Sequence, residues 1–248
     1  MTIQQDVSMT PRVVPLEGAF NVRDLGGYRT GDGRIVNRGR FYRGDGLHKL
    51  TTQDQKDLLS RDITTVIDLR NAKELETAVN VFASNSKVSY YNVSLLNPAH
   101  PSGTMINSLG DLYVMMLDMC GPLFREVMIL MAESNDEAVL FHCSAGKDRT
   151  GMISALLLDL AGVPKETIIE DYALTSQCLA PIMDELRLGR PAGISAEDYE
   201  KFLGCDPAHM ERMMSHLYSR YGGALSYLTS IGVQQEQLDI LKNKLIGT

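Results

Sequence analysis

Phe141-His142-Cys143-Ser144-Ala145-Gly146-Lys147-Asp148-Arg149-Thr150-Gly151 is the stretch on which the reading of this chain turns. Residues 138–141 before it, Ala-Val-Leu-Phe, form a short apolar run that predicts a buried strand. Residues 152–161 after it, Met-Ile-Ser-Ala-Leu-Leu-Leu-Asp-Leu-Ala, predict a buried helix closed by Gly162. A strand, a tight loop holding a cysteine and a helix starting at the loop's end make an anion cradle. Backbone N–H groups and the positive end of the helix dipole converge there, which favours a phosphate group and a thiolate alike. Cys143 and Arg149 stand six positions apart, a spacing that chance often supplies. The preceding strand, the internal Gly146, the Thr after the Arg and the apolar helix are independent requirements. Together they set Cys143 apart from a small buried core residue.

Outside this loop, composition bounds the answer. A chain of 248 residues can bury a sizeable core and fits one domain with an appendage. The formal charge of −7, with no basic run, argues against a general nucleic-acid or anionic-membrane binder. An anionic substrate remains compatible if positive charge is focused in one cleft. Cys120, Cys143, Cys178 and Cys205 show no CxxC or His/Cys ligand spacing, so neither a disulfide framework nor a metal site is indicated. Residues 1–10 are polar and lack the apolar core of a signal peptide, and Asp159 interrupts the longest apolar run, so no integral membrane segment is expected. The expected location is the cytoplasm, where a reactive thiol stays reduced; secretion without a signal peptide is left open.

The periodicities predict an α/β fold, a central sheet flanked by helices, with a C-terminal helical extension or lid. Residues 1–11 form a loose arm and 12–248 a single domain. Paired glycines mark a loop over 20–28, followed by a turn at 30–33 and a strand over 35–42. Thr51 caps a helix to about 60, with Leu58 and Leu59 inward. Strands follow over 64–69 and 88–95, with a short helix near 73–79 between them. Helices near 110–119 and 123–132 are split by Gly121-Pro122. Pro164 opens a helix to about 175. Beyond it only helices are expected, near 180–188, 195–203, 207–221, 224–231 and 234–246. The segment 178–205 is the candidate lid, although its Met183, Leu186 and Leu188 taken singly read as core.

The loop residues suit phosphoryl transfer. A thiolate at a helix N-terminus beside an arginine is a good nucleophile, and the Arg149 fork matches the equatorial oxygens of a phosphoryl group. Attack by Cys143 gives a phosphocysteine that water cleaves to inorganic phosphate. The backbone of Ser144, Ala145 and Gly146, with Lys147 and Arg149, forms the substrate-binding set. It supplies the charge stabilisation, so no metal or other cofactor is called for. The leaving oxygen needs a proton. Asp148 inside the loop, Asp68 at a strand end and Asp111 at a helix start are all candidates for the acid. Lys147 brings charge for a second phosphate, or is a solvated side chain on the loop rim. His142, at a strand end, buttresses the loop rather than acting as a base. Cys120, Cys178 and Cys205 read as buried thiols.

His142-Cys143-Ser144-Ala145-Gly146-Lys147-Asp148-Arg149-Thr150-Gly151 resembles the HCxxGxxR signature of cysteine-dependent phosphatases. Its Gly-Lys-Asp-Arg-Thr-Gly form is similar to that of atypical bacterial tyrosine phosphatases with dual protein and phosphoinositide activity. Asn21-Val22-Arg23-Asp24-Leu25-Gly26-Gly27-Tyr28 resembles the N-terminal NxRDLGGY signature of that family. Tyr42-Arg43, Asp68-Leu69-Arg70 with Glu74, Asp171-Tyr172 and Tyr221-Gly222-Gly223 follow in the expected order. Gly44 departs from the pattern, since relatives often carry Ser after the Arg. The chain has no Trp, so the tryptophan-containing acid loop of classical tyrosine phosphatases is absent.

The resemblance implies Cys143 as nucleophile, Arg149 as phosphate binder, Asp148 as acid and Lys147 as a cation beside the substrate. It implies a helical lid and a phosphorylated protein or phosphoinositide as substrate. The expected function is hydrolysis of phosphotyrosine, with phosphoserine, phosphothreonine and phosphoinositides as further substrates. Two other classes compete, a catalytically silent phosphate-binding module and a sulfur-transfer enzyme.

Overall fold

The structure, a computed structural model, describes residues 12–95, 108–134, 136–190, 193 and 195–247. The arm expected over residues 1–11 lies outside the described residues. In chain order the elements are β1 (Arg23–Asp24), β2 (Phe41–Gly44), α1 (Thr52–Leu59), β3 (Ile63–Asp68), α2 (Ala72–Thr77) and β4 (Ser89–Asn92). They continue with α3 (Leu109–Met119), α4 (Gly121–Glu133), β5 (Ala138–His142), α5 (Asp148–Leu160), α6 (Lys165–Leu179), α7 (Met183–Leu188) and α8 (Ala196–Leu203). The chain ends with α9 (Pro207–His216), α10 (Ala224–Ser230) and α11 (Gln235–Ile246). The five strands form one sheet in the order β1-β2-β5-β3-β4. β5 is central, parallel to both β2 and β3, and every residue of it is buried. Only β1 runs antiparallel.

Alternation along the strands feeds two cores. Phe41, Ile67, Val139 and Phe141 face a large core that α3–α6 and α9–α11 cover. Tyr42, Val66, Ala138 and Leu140 face a smaller one with Leu58 of α1 and Val14 and Val22. Because helices close both faces, β5 is a continuous apolar run rather than an alternating one. The register aligns Gly44 and Asp68 with His142 from either side. The C-terminal ends of β2, β3 and β5 therefore meet where open α/β sheets bind ligands.

Several expectations shift. The strand expected over 35–42 is confined to Phe41–Gly44, and Ile35 makes only an isolated bridge to Arg29. Gly39 with φ +72° turns the chain in between, a conformation a strand cannot hold. β1 lies inside the stretch that the paired glycines mark as loop, and it forms because its charged side chains find buried partners. The helix expected over 207–221 is α9 followed by a π-helical turn at Leu217–Tyr221. Residues 180–188 begin as a 3-10 turn at Ala180–Ile182. Met183, Leu186 and Leu188 are not core: the first two are half-buried and Leu188 is 88% exposed. No helix among the described residues is long and apolar enough to cross a membrane.

Candidate active site

Cys143 leaves the end of β5 and is buried, and α5 opens at Asp148, so the intervening loop joins a strand end to a helix start. The loop's carbonyls are turned outward. Ser144 O accepts from Gly46 N–H at 2.9 Å and Ala145 O from Asn21 Nδ2 at 2.9 Å. Gly146 O accepts from Asn21 Nδ2 at 3.2 Å and from Arg43 Nη2 at 2.7 Å. With the carbonyls bonded outside, the N–H groups of residues 144–150 have no acceptor among the described residues, and α5 has no side-chain cap. Such unspent donors at a helix start are what an anion site consists of. Gly146 is required twice over. Its φ is +66°, and a Cβ there would lie 2.5 Å from the Gly44 carbonyl oxygen.

The outward carbonyls are held by a buried scaffold. Asp171 of α6 receives Arg43 Nη1 at 2.5 Å, Arg23 Nε at 3.2 Å and the Tyr28 hydroxyl at 2.8 Å. Asn21 Oδ1 accepts from Arg23 Nη1, which orients the Asn21 amide toward the loop. Asp24 takes the Gly26 and Gly39 N–H groups, at 2.7 and 2.9 Å. Burial pushes the Asp171 carboxyl up, but the charges of Arg23 and Arg43 outweigh it and hold Asp171 below the usual carboxylate range. The NxRDLGGY residues thus brace the loop from behind.

Arg149 folds back over the end of the sheet. Its Nη1 and Nη2 meet Glu74 Oε2 and Oε1 at 2.7 and 2.8 Å, and Nη1 reaches Leu69 O at 3.3 Å. The Ser144 hydroxyl also donates to Glu74. Burial pulls the guanidinium down, yet Glu74 and Cys143 raise its pKa overall. Burial likewise raises the Glu74 carboxyl, and the Arg149 and Ser144 contacts reverse this, leaving it at about 2. Thr150, next in sequence, is buried, and its hydroxyl has no hydrogen-bond partner among the described residues.

Asp148 is the half-exposed acid of the loop. Its Oδ1 accepts from the Tyr113 hydroxyl and lies 3.6 Å from Lys147 Nζ. The Lys147 side chain is buried and turned to the end of α8, donating to Phe202 O and, at 3.0 Å, to Gly204 O. It is therefore not the solvated residue on the loop rim. The other two carboxylates are committed elsewhere. Asp68 is buried against Arg70, with Nη2–Oδ2 at 2.7 Å and Nε–Oδ1 at 2.9 Å, and takes the Tyr90 hydroxyl at 3.0 Å. Burial raises the Asp68 pKa, and the His142 and Arg70 contacts drive it far below the usual range. Asp111, in the first turn of α3, accepts from the hydroxyl of the N-cap Ser108 and pairs with Arg212 at 2.5 Å. His142 Nδ1 donates to the Cys143 carbonyl at 3.0 Å, and its Nε2 lies 2.8 Å from Asn80 Nδ2 and 3.2 Å from Asp68 Oδ2. That is the buttress expected of it.

The structure thus gathers Cys143, Ser144, Ala145, Gly146, Lys147, Asp148 and Arg149 on one loop, with Lys147 directed to α8. Sequence reasoning gave Glu74 no role and missed Tyr113. Glu74 had a motif position as a signal; Tyr113, one apolar-face residue of α3 among others, had none. Among the described residues no group of three or more His, Cys, Asp or Glu could hold a metal ion.

Residues 14–247 match the profile described as "Tyrosine phosphatase family". A tyrosine-protein phosphatase of Nostoc commune is 36% identical over 219 residues, covering 83% of this chain and 74% of the relative. A triple specificity protein phosphatase, PtpB of Mycobacterium tuberculosis, is 23% identical over 94% of this chain and 98% of the relative. A solved structure of P. aeruginosa TpbA in complex with pTyr superposes with a TM-score of 0.38 at 13% identity, covering 83% of this chain and 98% of that one. That superposition is too remote to bear on ligand or mechanism. A match over nearly the whole chain, together with the relative from Nostoc commune, settles what the loop belongs to: the chain is a member of the tyrosine phosphatase family and a phosphatase enzyme.

Proposed function

We propose that the chain hydrolyses phosphotyrosine through a phosphocysteine at Cys143, with phosphoserine, phosphothreonine and phosphoinositides as further substrates. One observation carries this reading. The loop between Cys143 and α5 bonds its carbonyls to Asn21, Arg43 and Gly46 and leaves its N–H groups unspent beside a buried cysteine. Those N–H groups take the phosphoryl oxygens, and Arg149, steadied by Glu74, supplies the cationic fork.

The Cys143 thiolate attacks phosphorus in line while the bond to the ester oxygen breaks, and Asp148 gives its proton to that oxygen. Water then attacks phosphorus, the S–P bond breaks, and Asp148 takes the water's proton as inorganic phosphate leaves. Asp148 is the acid of choice because Asp68 is buried in an ion pair with Arg70 and Asp111 is paired with Arg212 in the first turn of α3. Lys147 adds positive charge to the loop, 3.6 Å from Asp148, and ties it to α8. Residues 12–248 act as one unit with 178–205 as its lid, and the cytoplasm suits four free thiols.

Cys143→Ser tests the reading on an aryl phosphate. The expected result is loss of at least about ten-thousandfold in rate, and retention of rate overturns the mechanism. Phosphate release against thiocyanate formation separates phosphoryl from sulfur transfer. A panel of phosphopeptides and phosphoinositides, each run with the Cys143→Ser control, orders the substrates.

A further inference from the structure

Asp148 has two carboxyl oxygens, and the structure treats them differently. Oδ1 accepts from the Tyr113 hydroxyl and faces Lys147 Nζ at 3.6 Å. Oδ2 has no hydrogen-bond partner among the described residues, while the side chain is 31% exposed. Tyr113 comes from α3, outside the loop, and is fully buried. Its hydroxyl lies 2.9 Å from the hydroxyl of Tyr172 on α6, and the two rings meet edge to face with centroids 6.2 Å apart. A hydroxyl has one proton to give. Since Tyr113 gives its proton to Asp148, Tyr172 must be the donor between the two tyrosines. The result is a directed chain, Tyr172 to Tyr113 to Asp148 Oδ1. Burial first, and then the charge of Asp148, push the Tyr113 hydroxyl far above its usual pKa, so the donor stays protonated.

We propose that Tyr113 is a positioning residue that dedicates Asp148 Oδ2 to the proton transfer. Oδ1 already accepts a proton-bearing hydroxyl and faces an ammonium group, so the acid proton resides on Oδ2, the oxygen without a partner among the described residues. A carboxyl free to rotate would present either oxygen, and the proton would be misplaced in part of the population. Tyr172 extends the device to the loop's scaffold. It neighbours Asp171 on α6, so adjacent residues of one helix brace the loop's carbonyls through Arg43 and its acid through Tyr113. Gly151 makes room for this, since a Cβ there would stand 3.1 Å from the Tyr172 ring.

The inference rests on Asp148 being the general acid, and the test separates the two claims. Asp148→Asn, Tyr113→Phe and the double variant are assayed on phenyl phosphate and on 2,4-dinitrophenyl phosphate, whose leaving group needs no proton. Tyr113→Phe should lose about tenfold in kcat/KM, which reports phosphocysteine formation, on phenyl phosphate and less than about twofold on the dinitrophenyl ester, a fraction of what a general acid supplies. The double variant should be no slower than Asp148→Asn alone. If Asp148→Asn lowers kcat/KM equally on both esters, the acid assignment fails. If Asp148→Asn discriminates between the esters but Tyr113→Phe does not, or the two losses multiply, the positioning role fails. Thermal melts and vanadate binding verify that each variant is folded. Tyr172→Phe, which keeps the acid and Tyr113, should show the same leaving-group bias to a smaller degree; an equal loss on both esters counts against the chain.

Discussion

Glu74 and Arg149 meet fork to fork, with Oε2–Nη1 at 2.7 Å and Oε1–Nη2 at 2.8 Å. Glu74 belongs to α2 and Arg149 to the first turn of α5, so the pair spans the end of the sheet. Asn71 and Glu74 also form the capping box of α2, which orients the Glu74 carboxylate before Arg149 reaches it. A guanidinium without that partner would sample many rotamers, and its Nε and remaining Nη hydrogens would meet the phosphate less often.

Glu74→Gln should therefore lower kcat/KM by roughly ten- to a hundredfold, as a displaced phosphate clamp does, and weaken vanadate binding. Titration calorimetry with vanadate checks the second half. Acid should erase the stabilising share of the contact. Glu74 sits at about 2 in the folded protein against an ordinary 4.5, so its contribution is full above 4.5 and declines as pH falls from there toward 2. Urea midpoints of the parent and Glu74→Gln proteins should converge across that window; parallel curves would count against the pair.

Asp171→Asn leaves Arg23 and Arg43 buried beside a neutral amide. Removing one partner from a buried charge network costs about 3–5 kcal/mol. For a chain of this size the melting temperature should fall by roughly 10 °C. Differential scanning calorimetry measures it, and a drop under about 2 °C would mean that the two guanidiniums are satisfied otherwise.

Gly146→Ala should inactivate the enzyme by about a hundredfold or more, because a shift near 1 Å in the loop is enough for that. The new Cβ would stand 2.5 Å from backbone that cannot yield, at φ +66°. Gly44→Ser, the residue relatives often carry, is the contrasting case. Its Cβ would stand 3.1 Å from a Val22 methyl, a side-chain contact that can relax. Stability should change by less than about 1 kcal/mol, as for tolerated packing changes, with kcat within about twofold. Steady-state kinetics and chemical denaturation of both variants decide this.

Lys147→Met removes the donor to Phe202 O and Gly204 O while keeping much of the buried stem. The end of α8 then loses its tie to the loop. Limited proteolysis should cut within 189–204 several-fold faster than in the parent protein, read by mass spectrometry of the fragments. Unchanged cleavage would mean that α8 is held by its other contacts.

Local signals carried the loop and most elements. The apolar run at 138–141, the glycine at 146 and the buried helix of 152–160 state their structures through neighbours in sequence, so periodicity finds them. The segment at 35–42 shows the limit. Its apolar ends suit a strand, but Gly39 turns the backbone, and only the pairing of β2 with β5 shows where the strand starts. β1 is opaque for another reason. Arg23 and Asp24 are poor strand residues by propensity, and the partner of Arg23, Asp171, lies 148 residues away.

By itself the sequence determined the chemistry on offer: a cysteine, an arginine and an acid on one strand-loop-helix unit. Those properties depend on residue types and short spacings, which the chain states directly. The tertiary structure decided which groups are free to act. It withdrew Asp68 and Asp111 into ion pairs, turned Lys147 toward α8, and set Glu74 on Arg149 and Tyr113 on Asp148. The physical reason is that a buried polar group must find its partner wherever packing brings one, and packing joins residues that no local pattern relates.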